Sequence, residues 1–203
     1  ALLCRERGIA LNVSAVEECM QAQRERARAA QKKTIVRALD LKTDAHTEFL
    51  GFDNNGCEAV ILEVHAQDGQ VLVVTNRTVL FSEMGGQEGD RGNAIIHGQS
   101  YPITAVQKIG HATAHMISEV DPRSLSLGDS LQISIDRSHR ASIETHHTAT
   151  HLLHWALHEV VSADASQQGS SVSTARIRFD FNSNALSTEQ ISCIESMVNE
   201  RIG

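Results

Sequence analysis

Five of the eleven histidines in this chain lie within the fourteen residues 145–158. His147 and His151 are four residues apart, and two helical side chains at this spacing lie one turn apart and point the same way. Two imidazoles in that arrangement can hold one metal ion. Zinc takes three or four protein ligands, so the pair predicts half of a metal site, and a row of surface histidines is the alternative.

Two further pairs share this spacing. His154 and His158 continue the row beyond the reach of an ion on the first pair, so we expect surface histidines there, with hydrogen bonds that support the metal ligands as the alternative. The surroundings of His111 and His115 instead predict a strand. Residues four apart on a strand are separated by about 13 Å, so this pair should not share an ion.

A helix over residues 137–161 must position the histidine row, because no residue in this segment breaks a helix. Residues 162–169 are predicted to be a loop and residues 176–181 a strand. A capping box from Ser187 to Gln190 should begin a second helix, which runs to Ile202. Apolar side chains recur at three- and four-residue spacing on the other side of the first helix, and this face should pack on a core: Leu152, Leu153, Ala156, Leu157, Val160 and Val161.

Residues 83–92 contain four glycines within eight positions. Glycine permits positive φ and a close backbone approach, either to a ligand or to another segment. The segment has no Walker A lysine and no strand-to-helix setting, so it is not expected to cradle phosphate. It is therefore either a structural turn or a substrate-facing loop formed by Gly85, Gly86 and Gln87, and we expect it to approach the histidine helix.

Short strands separated by turn residues fill residues 47–135, and Asp68-Gly69 is the strongest hairpin signal. Their regular spacing without helices predicts a small antiparallel barrel or sandwich of roughly 90 residues. The predicted fold class is α+β: a connecting helical segment over residues 1–36, an antiparallel β-barrel over residues 37–136, and the N-terminal part of an α+β unit over residues 137–203. Strands are expected at residues 58–64, 71–76, 77–81, 93–97, 100–109, 114–117 and 130–135.

The composition limits the partners and the compartment. The chain has 203 residues and a net charge of −7, so it should not coat nucleic acid, and any nucleic-acid contact must be local. Only 3% of its residues are aromatic, so its core should consist mainly of Val, Ile, Leu and Ala. Four cysteines without a C-x-x-C motif suggest a reducing, cytoplasmic location. No apolar run of membrane-spanning length occurs, so we expect no membrane partner.

Four stretches together resemble the editing region of alanyl-tRNA synthetase, which is shared in part with free-standing alanine-tRNA editing proteins and with the second editing-type domain of threonyl-tRNA synthetase. They occur in the family's order and span nearly the whole chain. The sequence departs from the family pattern at Phe81, Met84 and His146, where Tyr, Ser and Asn are usual. The stretches are the helix over residues 8–33, the glycine motif 83–92, the histidine helix 147–154, and residues 167–170 followed by 178–181.

The resemblance implies hydrolysis of the ester that joins serine or glycine to tRNA(Ala). It also implies Zn²⁺ on His147 and His151, with two further ligands from a later C-x-x-x-H pair that this sequence ends before. Cys193 does not match that motif, and we expect it in a helix core. Gln167 is the candidate catalytic residue, hydrogen bonding to the substrate at the start of the loop after the metal helix, and a solvated loop residue is the alternative.

For the complete synthetase the resemblance implies alanine-tRNA ligase activity, with ATP and Mg²⁺ at an aminoacylation domain absent from this chain, and a homo-oligomer formed through a C-terminal region. The later part of the N-terminal helix, residues 21–33, is rich in Arg and Lys and is interpreted as a solvated connector, with a tRNA-backbone contact as the alternative. A non-catalytic tRNA-binding or scaffolding module is the alternative to an editing enzyme.

Overall fold

A closed barrel of six antiparallel strands forms the middle of the chain. Buried and exposed residues alternate along two of its strands, residues 92–96 and 130–135, as expected where one face packs on the core. The computed structural model describes residues 43–67 and 70–203, together with Cys19 and Gln21. Around the barrel the strand order is β2-β3-β7-β6-β5-β8. These strands are β2 (Gly56–Gln67), β3 (Gln70–Thr75), β5 (Gly92–Ile96), β6 (Gln99–Ile109), β7 (Ala112–Ile117) and β8 (Ser130–Ile135).

Aliphatic side chains fill the barrel, as the low aromatic content predicts. Val73, Ile96 and Ile133 are almost completely buried, and Tyr101 is only partly buried against this core. The pairing of β2 with β3 ends at Gln67 and Gln70, so two residues connect the strands, as the hairpin signal predicts. The predicted barrel is confirmed.

Two very short strands lie outside the barrel and correct one prediction. β1 (Glu48–Phe49) pairs in parallel with β4 (Arg77–Thr78). The strand expected over residues 77–81 therefore ends at Thr78. Beyond it the backbone bonds to a side chain rather than to a strand, since the Phe81 amide donates to the Asp90 carboxylate at 2.6 Å.

The first long helix, α1 (Arg137–Val160), follows the barrel and begins at its N-cap residue Asp136. The Asp136 carboxylate accepts hydrogen bonds from the Ser138 amide at 3.0 Å and the His139 amide at 3.1 Å. The Ser138 hydroxyl also donates to it at 2.7 Å, and these bonds hold the pKa of Asp136 below its ordinary value. This cap fixes the position of every histidine that follows on the helix.

A two-stranded antiparallel hairpin and a second helix complete the α+β fold. The hairpin pairs β9 (Gln167–Val172) with β10 (Ile177–Phe181), and α2 (Thr188–Ile202) begins with the predicted capping box at Ser187. Because β9 begins at Gln167, the predicted loop 162–169 is wrong in its last three residues. Ala156 and Leu157 of α1 pack with Ile194 of α2 and with the partly buried phenylalanines of β10.

Cys193 is exposed, so its predicted place in a helix core is wrong. The neighbouring Ile194 occupies the buried side of α2 instead, and successive helical residues point about 100° apart. Residues 42–203 form one compact unit. The predicted N-terminal helix and the boundary at residue 36 lie outside the described residues. Among the described residues, neither helix combines the length and hydropathy that a bilayer-spanning helix requires.

Candidate functional site

His147 and His151 form an exposed pair on α1. Their rings are stacked, with centroids 4.9 Å apart and an interplanar angle of 22°. The one-turn spacing therefore points both rings the same way. Neither ring has a hydrogen-bond partner among the described residues. Both imidazoles are thus accessible to a ligand from solvent.

His154 and His158 have different surroundings. Both are partly buried, and their Nε2 atoms lie 3.3 Å and 2.6 Å from the Ala165 carbonyl oxygen, to which each donates. The ring of His154 also packs on Phe179, with centroids 5.2 Å apart. The predicted surface row is therefore wrong for this pair. The alternative, that these histidines make supporting hydrogen bonds, describes them better. The acceptor is the backbone carbonyl of Ala165, however, and not a metal ligand.

The chain from Ala165 to Ser173, which contains β9, is attached to α1 at both ends. The His146 Nδ1 atom donates to the Ser173 carbonyl oxygen at 2.6 Å, and His154 and His158 hold Ala165. His146 precedes His154 and His158 on α1, whereas its partner Ser173 follows Ala165 in the chain. β9 therefore runs antiparallel to α1, and the exposed pair occupies helix positions between the two attachments.

The glycine-rich segment forms a tight turn that adds to the edge of β9. The Gln87 amide donates to the Met84 carbonyl at 3.1 Å, and Gly85 and Gly86 have φ angles of 62° and 82°, the pattern of a type I′ turn. Val172 makes two backbone hydrogen bonds to the residues that flank Gln87. Its amide donates to the Gly86 carbonyl at 2.8 Å, and its carbonyl accepts from the Glu88 amide at 2.9 Å. The turn is therefore fixed against the hairpin.

Gly86 lies against Ser170 so closely that a Cβ atom there would be 2.2 Å from the Ser170 carbonyl oxygen. Gln167 contacts the same serine, because its Nε2 donates to the Ser170 Oγ at 2.8 Å. The structure thus brings Gln167 and Gly86 of the glycine turn together at Ser170 on β9. Gln167 is exposed and is the first residue of a strand, so the prediction that it begins a loop is wrong.

A buried ion pair, which the sequence analysis did not predict, holds the glycine-rich segment to α1. Asp90 is 2% exposed and accepts from the Arg140 Nε atom at 2.8 Å and 3.0 Å, and also from Nη2. Arg140 donates further to the carbonyls of Gly51 at 3.1 Å and Val79 at 3.0 Å. A buried pair with this many hydrogen bonds is costly to break from one side. Fifty residues separate the partners, so no local spacing indicates the contact.

Glu88 lies beside the first turn of α1. Its carboxylate is 3.5 Å from the Nε2 atom of the buried His139, too far for a hydrogen bond, and neither ring nitrogen of His139 has a hydrogen-bond partner among the described residues. The same carboxylate accepts from Arg91 at 3.0 Å and from the Thr174 amide at 3.3 Å. The expected approach to the histidine helix is confirmed at its first turn, two turns before His147.

The third histidine pair is separated by the fold. His115 is buried in β7, with Nε2 2.7 Å from the Thr78 hydroxyl and Nδ1 donating to the Val73 carbonyl at 3.1 Å. Burial lowers its pKa to about 4. His111 lies in the turn before β7 rather than in a strand, where it stacks on His46 at 6.1 Å.

The exposed pair fits two positions of a zinc shell and no more. Neutral imidazoles are favoured zinc ligands, and both rings are accessible. Within residues 43–67 and 70–203, no group of three or more His, Cys, Asp or Glu side chains is placed to hold a metal ion. A complete shell on His147 and His151 therefore needs ligands from outside the described residues.

The class of the protein follows from a comparison with known families. The model of the family described as tRNA synthetases class II (A) matches residues 1–139, which is more than half of the chain. The chain belongs to this family. The match ends in the first turn of α1, so the exposed pair and Gln167 lie beyond it.

Two curated relatives match nearly the whole chain. The alanine–tRNA ligase of Akkermansia muciniphila is 52% identical over 199 residues, a match that covers 98% of this chain and 21% of that protein. The alanine–tRNA ligase of Opitutus terrae is 34% identical over 215 residues, covering 99% and 22%. The chain spans about a fifth of the length of each relative.

Proposed function

We propose that this chain provides part of the editing site of an alanine–tRNA ligase, which hydrolyses the ester that joins serine or glycine to tRNA(Ala). The two ligases that match the chain support the whole-protein activity, with ATP and Mg²⁺ used at an aminoacylation domain elsewhere. Editing has a physical reason. A pocket that admits alanine cannot easily reject the smaller glycine, because a small group changes binding by only about 1 to 3 kcal/mol.

The observation that carries this proposal is the meeting of Gly86 and Gln167 at Ser170, on a strand attached to the histidine helix at both ends. The Gln167 Nε2 atom is occupied by Ser170, so its Oε1 atom is the group that accepts from the ammonium or hydroxyl of a seryl ester. The backbone amides of Gly85 and Gly86 donate to no described residue and can stabilise an oxyanion.

His147 and His151 are the residues that would hold zinc in this arrangement. When bound, the ion supplies Lewis-acid chemistry. The role of the chain itself is positional: the Asp136 cap and the Arg140–Asp90 ion pair fix α1, and β9 fixes the glycine turn. Removing one of the two imidazoles should therefore impair hydrolysis without opening a core cavity.

The test is single-turnover deacylation of seryl-tRNA(Ala) by the full-length protein. We expect His151→Ala to lower the rate at least about 100-fold while the protein stays folded, since an exposed helical position tolerates Ala. Glu159→Ala, another exposed position on α1, is the matched control and should retain full activity. Unchanged hydrolysis by folded His151→Ala would remove this residue from the mechanism, and with it the main support for an editing metal held by α1. A wild type that binds tRNA(Ala) but hydrolyses no ester would instead favour the non-catalytic tRNA-binding or scaffolding module.

A glycine pair tests the loop in the same assay. Gly86→Ala should lower deacylation about tenfold or more, because its Cβ cannot fit against Ser170. Gly85→Ala carries a comparable positive-φ penalty of about 1 to 2 kcal/mol, but it meets nothing within 4 Å. Equal losses in both variants would remove the contact with β9 from the mechanism.

A further inference from the structure

Three phenylalanines form an aromatic surface beside the candidate site, here called the phenylalanine ladder: Phe52, Phe49 and Phe81. The rings of Phe52 and Phe49 meet edge to face with centroids 5.0 Å apart, and those of Phe49 and Phe81 do so at 6.2 Å. Phe52 is 87% exposed, whereas the other two are partly buried. The ladder contains three of the five phenylalanines of the chain.

The turn that carries Phe52 is tightly held, so the exposure of the ring does not come from a loose segment. A Cβ atom at Gly51 would lie 2.2 Å from the Val79 carbonyl oxygen and 2.7 Å from the Phe49 ring. The Gly51 carbonyl accepts from Arg140, and the Asn54 amide donates to Leu50 at 3.2 Å. Leaving a large apolar ring in water forgoes burial free energy. The edge-to-face contact with Phe49 makes Phe52 the exposed end of an aromatic patch rather than a lone apolar side chain, and such patches are typical of binding surfaces.

The ladder leads to the glycine-rich segment. Phe81 carries the last ring of the ladder, and its backbone amide donates to the Asp90 carboxylate. Asp90 belongs to the segment that contains Gly85 and Gly86. One cationic group lies near Phe52. The exposed Arg137 donates to the side chain of Asn55 at 3.1 Å, and Asn55 follows Phe52 by three residues. Asp53 is the exposed acid beside Phe52, so the local charge is mixed.

We propose that the phenylalanine ladder stacks the unpaired nucleobases at the 3′ end of a tRNA as that end approaches the glycine turn. This inference rests on the proposed function. An aromatic face stacks on any base, and a nearby guanidinium pairs with phosphate, which is the combination that single-stranded nucleic acid requires. Phe81 lies two residues before the glycine-rich segment 83–92 and bonds to Asp90 within it, so the occupant that we assign to the ladder is the strand that carries the ester.

The experiment measures the affinity of the full-length protein for uncharged tRNA(Ala) and for the same tRNA without its unpaired 3′ nucleotides. Phe52→Ala should weaken binding of the intact tRNA about 5- to 20-fold and leave binding of the shortened tRNA unchanged. Phe52→Trp should retain affinity, and Phe52→Leu should not, since leucine is apolar but cannot stack. Leu127→Ala removes another apolar side chain, 70% exposed and outside the ladder, and is the matched control.

The outcomes separate the two proposals. If Phe52→Ala binds intact tRNA as the wild type does, while the wild type hydrolyses seryl-tRNA(Ala), the ladder proposal is overturned and the editing proposal stands. Equal weakening on intact and shortened tRNA, or full affinity in Phe52→Leu, also overturns stacking and indicates a protein contact. A wild type that neither binds nor deacylates tRNA(Ala) overturns the proposed function and the ladder with it.

Discussion

His147 and His151 share a helix and a spacing with His154 and His158, yet the two pairs have different surroundings. The first pair is exposed and makes no hydrogen bond to a described residue. The second pair is partly buried, and both of its rings donate to one carbonyl, that of Ala165. The spacing alone therefore sets the direction of a side chain, whereas its role depends on what covers it.

The covering element is the segment from Ala165 into β9, together with β10. Phe179 of β10 packs on His154, and the two histidines fix the chain where it leaves α1. That attachment determines where β9 begins, and β9 in turn carries Gln167 and receives the glycine turn. His154 and His158 thus fix the start of the strand that runs beside α1, while His147 and His151 on the same helix stay open to a ligand.

The largest expected difference between the pairs is in zinc affinity. If the full-length protein binds zinc through four ligands, with about 10 to 16 kcal/mol in total, then His147→Ala should weaken binding several hundredfold. His154→Ala should change it no more than about threefold, because that ring donates to Ala165. Competition titration with a chelator measures both variants.

A similar loss in the two variants would show that the second pair also contributes ligands. Residues 1–203 alone should bind zinc weakly or not at all, because two imidazoles leave half of a tetrahedral shell to solvent. A stoichiometric site of submicromolar affinity in that fragment would contradict the assignment of only two ligands to this chain.

Periodicity predicted what depends on neighbours in the sequence. The barrel strands, the Ser187 capping box and the direction of His147 and His151 follow from local spacing. The Arg140–Asp90 pair joins positions fifty residues apart, and the ring that packs on His154 belongs to Phe179, in another element of the fold. Cys193 shows the same limit, since only tertiary packing selects Ile194 as the buried neighbour.

His115 extends the comparison to a histidine that is fully buried. Its pKa is lowered from 6.5 to about 4, so between these pH values the unfolded chain binds a proton that the folded chain does not. The free energy of unfolding is therefore not lowered by His115 above pH 6.5, and it decreases as the pH falls from 6.5 towards 4. At about 1.36 kcal/mol for each pKa unit, the total loss is about 3 kcal/mol. Urea unfolding at several pH values measures it.

The control for His115 is the variant His115→Gln, which should unfold with a shallower pH dependence between pH 6.5 and 4. If this variant does not fold, an NMR titration of the His115 ring in the wild type gives the same answer. A ring that titrates near pH 6.5 would contradict the burial argument. Glu63 and Asp136 also have lowered pKa values, and the contribution of Glu63 begins to be lost near its ordinary value of 4.5, at the acid end of this window. Both carboxylates are retained in His115→Gln, so the difference between the variant and the wild type isolates the histidine.

The smallest expected effect distinguishes the second histidine pair from the first by stability alone. His158→Ala removes a 2.6 Å bond to the Ala165 carbonyl, which retains the 3.3 Å bond from His154, so the loss should be about 1 kcal/mol. His154→Ala should cost a similar amount. The double variant leaves the carbonyl of a buried residue without a donor, so its loss should exceed the sum of the two.

Denaturant unfolding of the four proteins in this cycle measures the coupling between the two rings. The matched cycle on His147 and His151 should show almost none, since neither ring bonds to a described residue. Additive losses in the His154 and His158 cycle would mean that the two rings do not share one acceptor. The cover over the second pair would then come from the packing of Phe179, and the contrast between the pairs would rest on exposure alone.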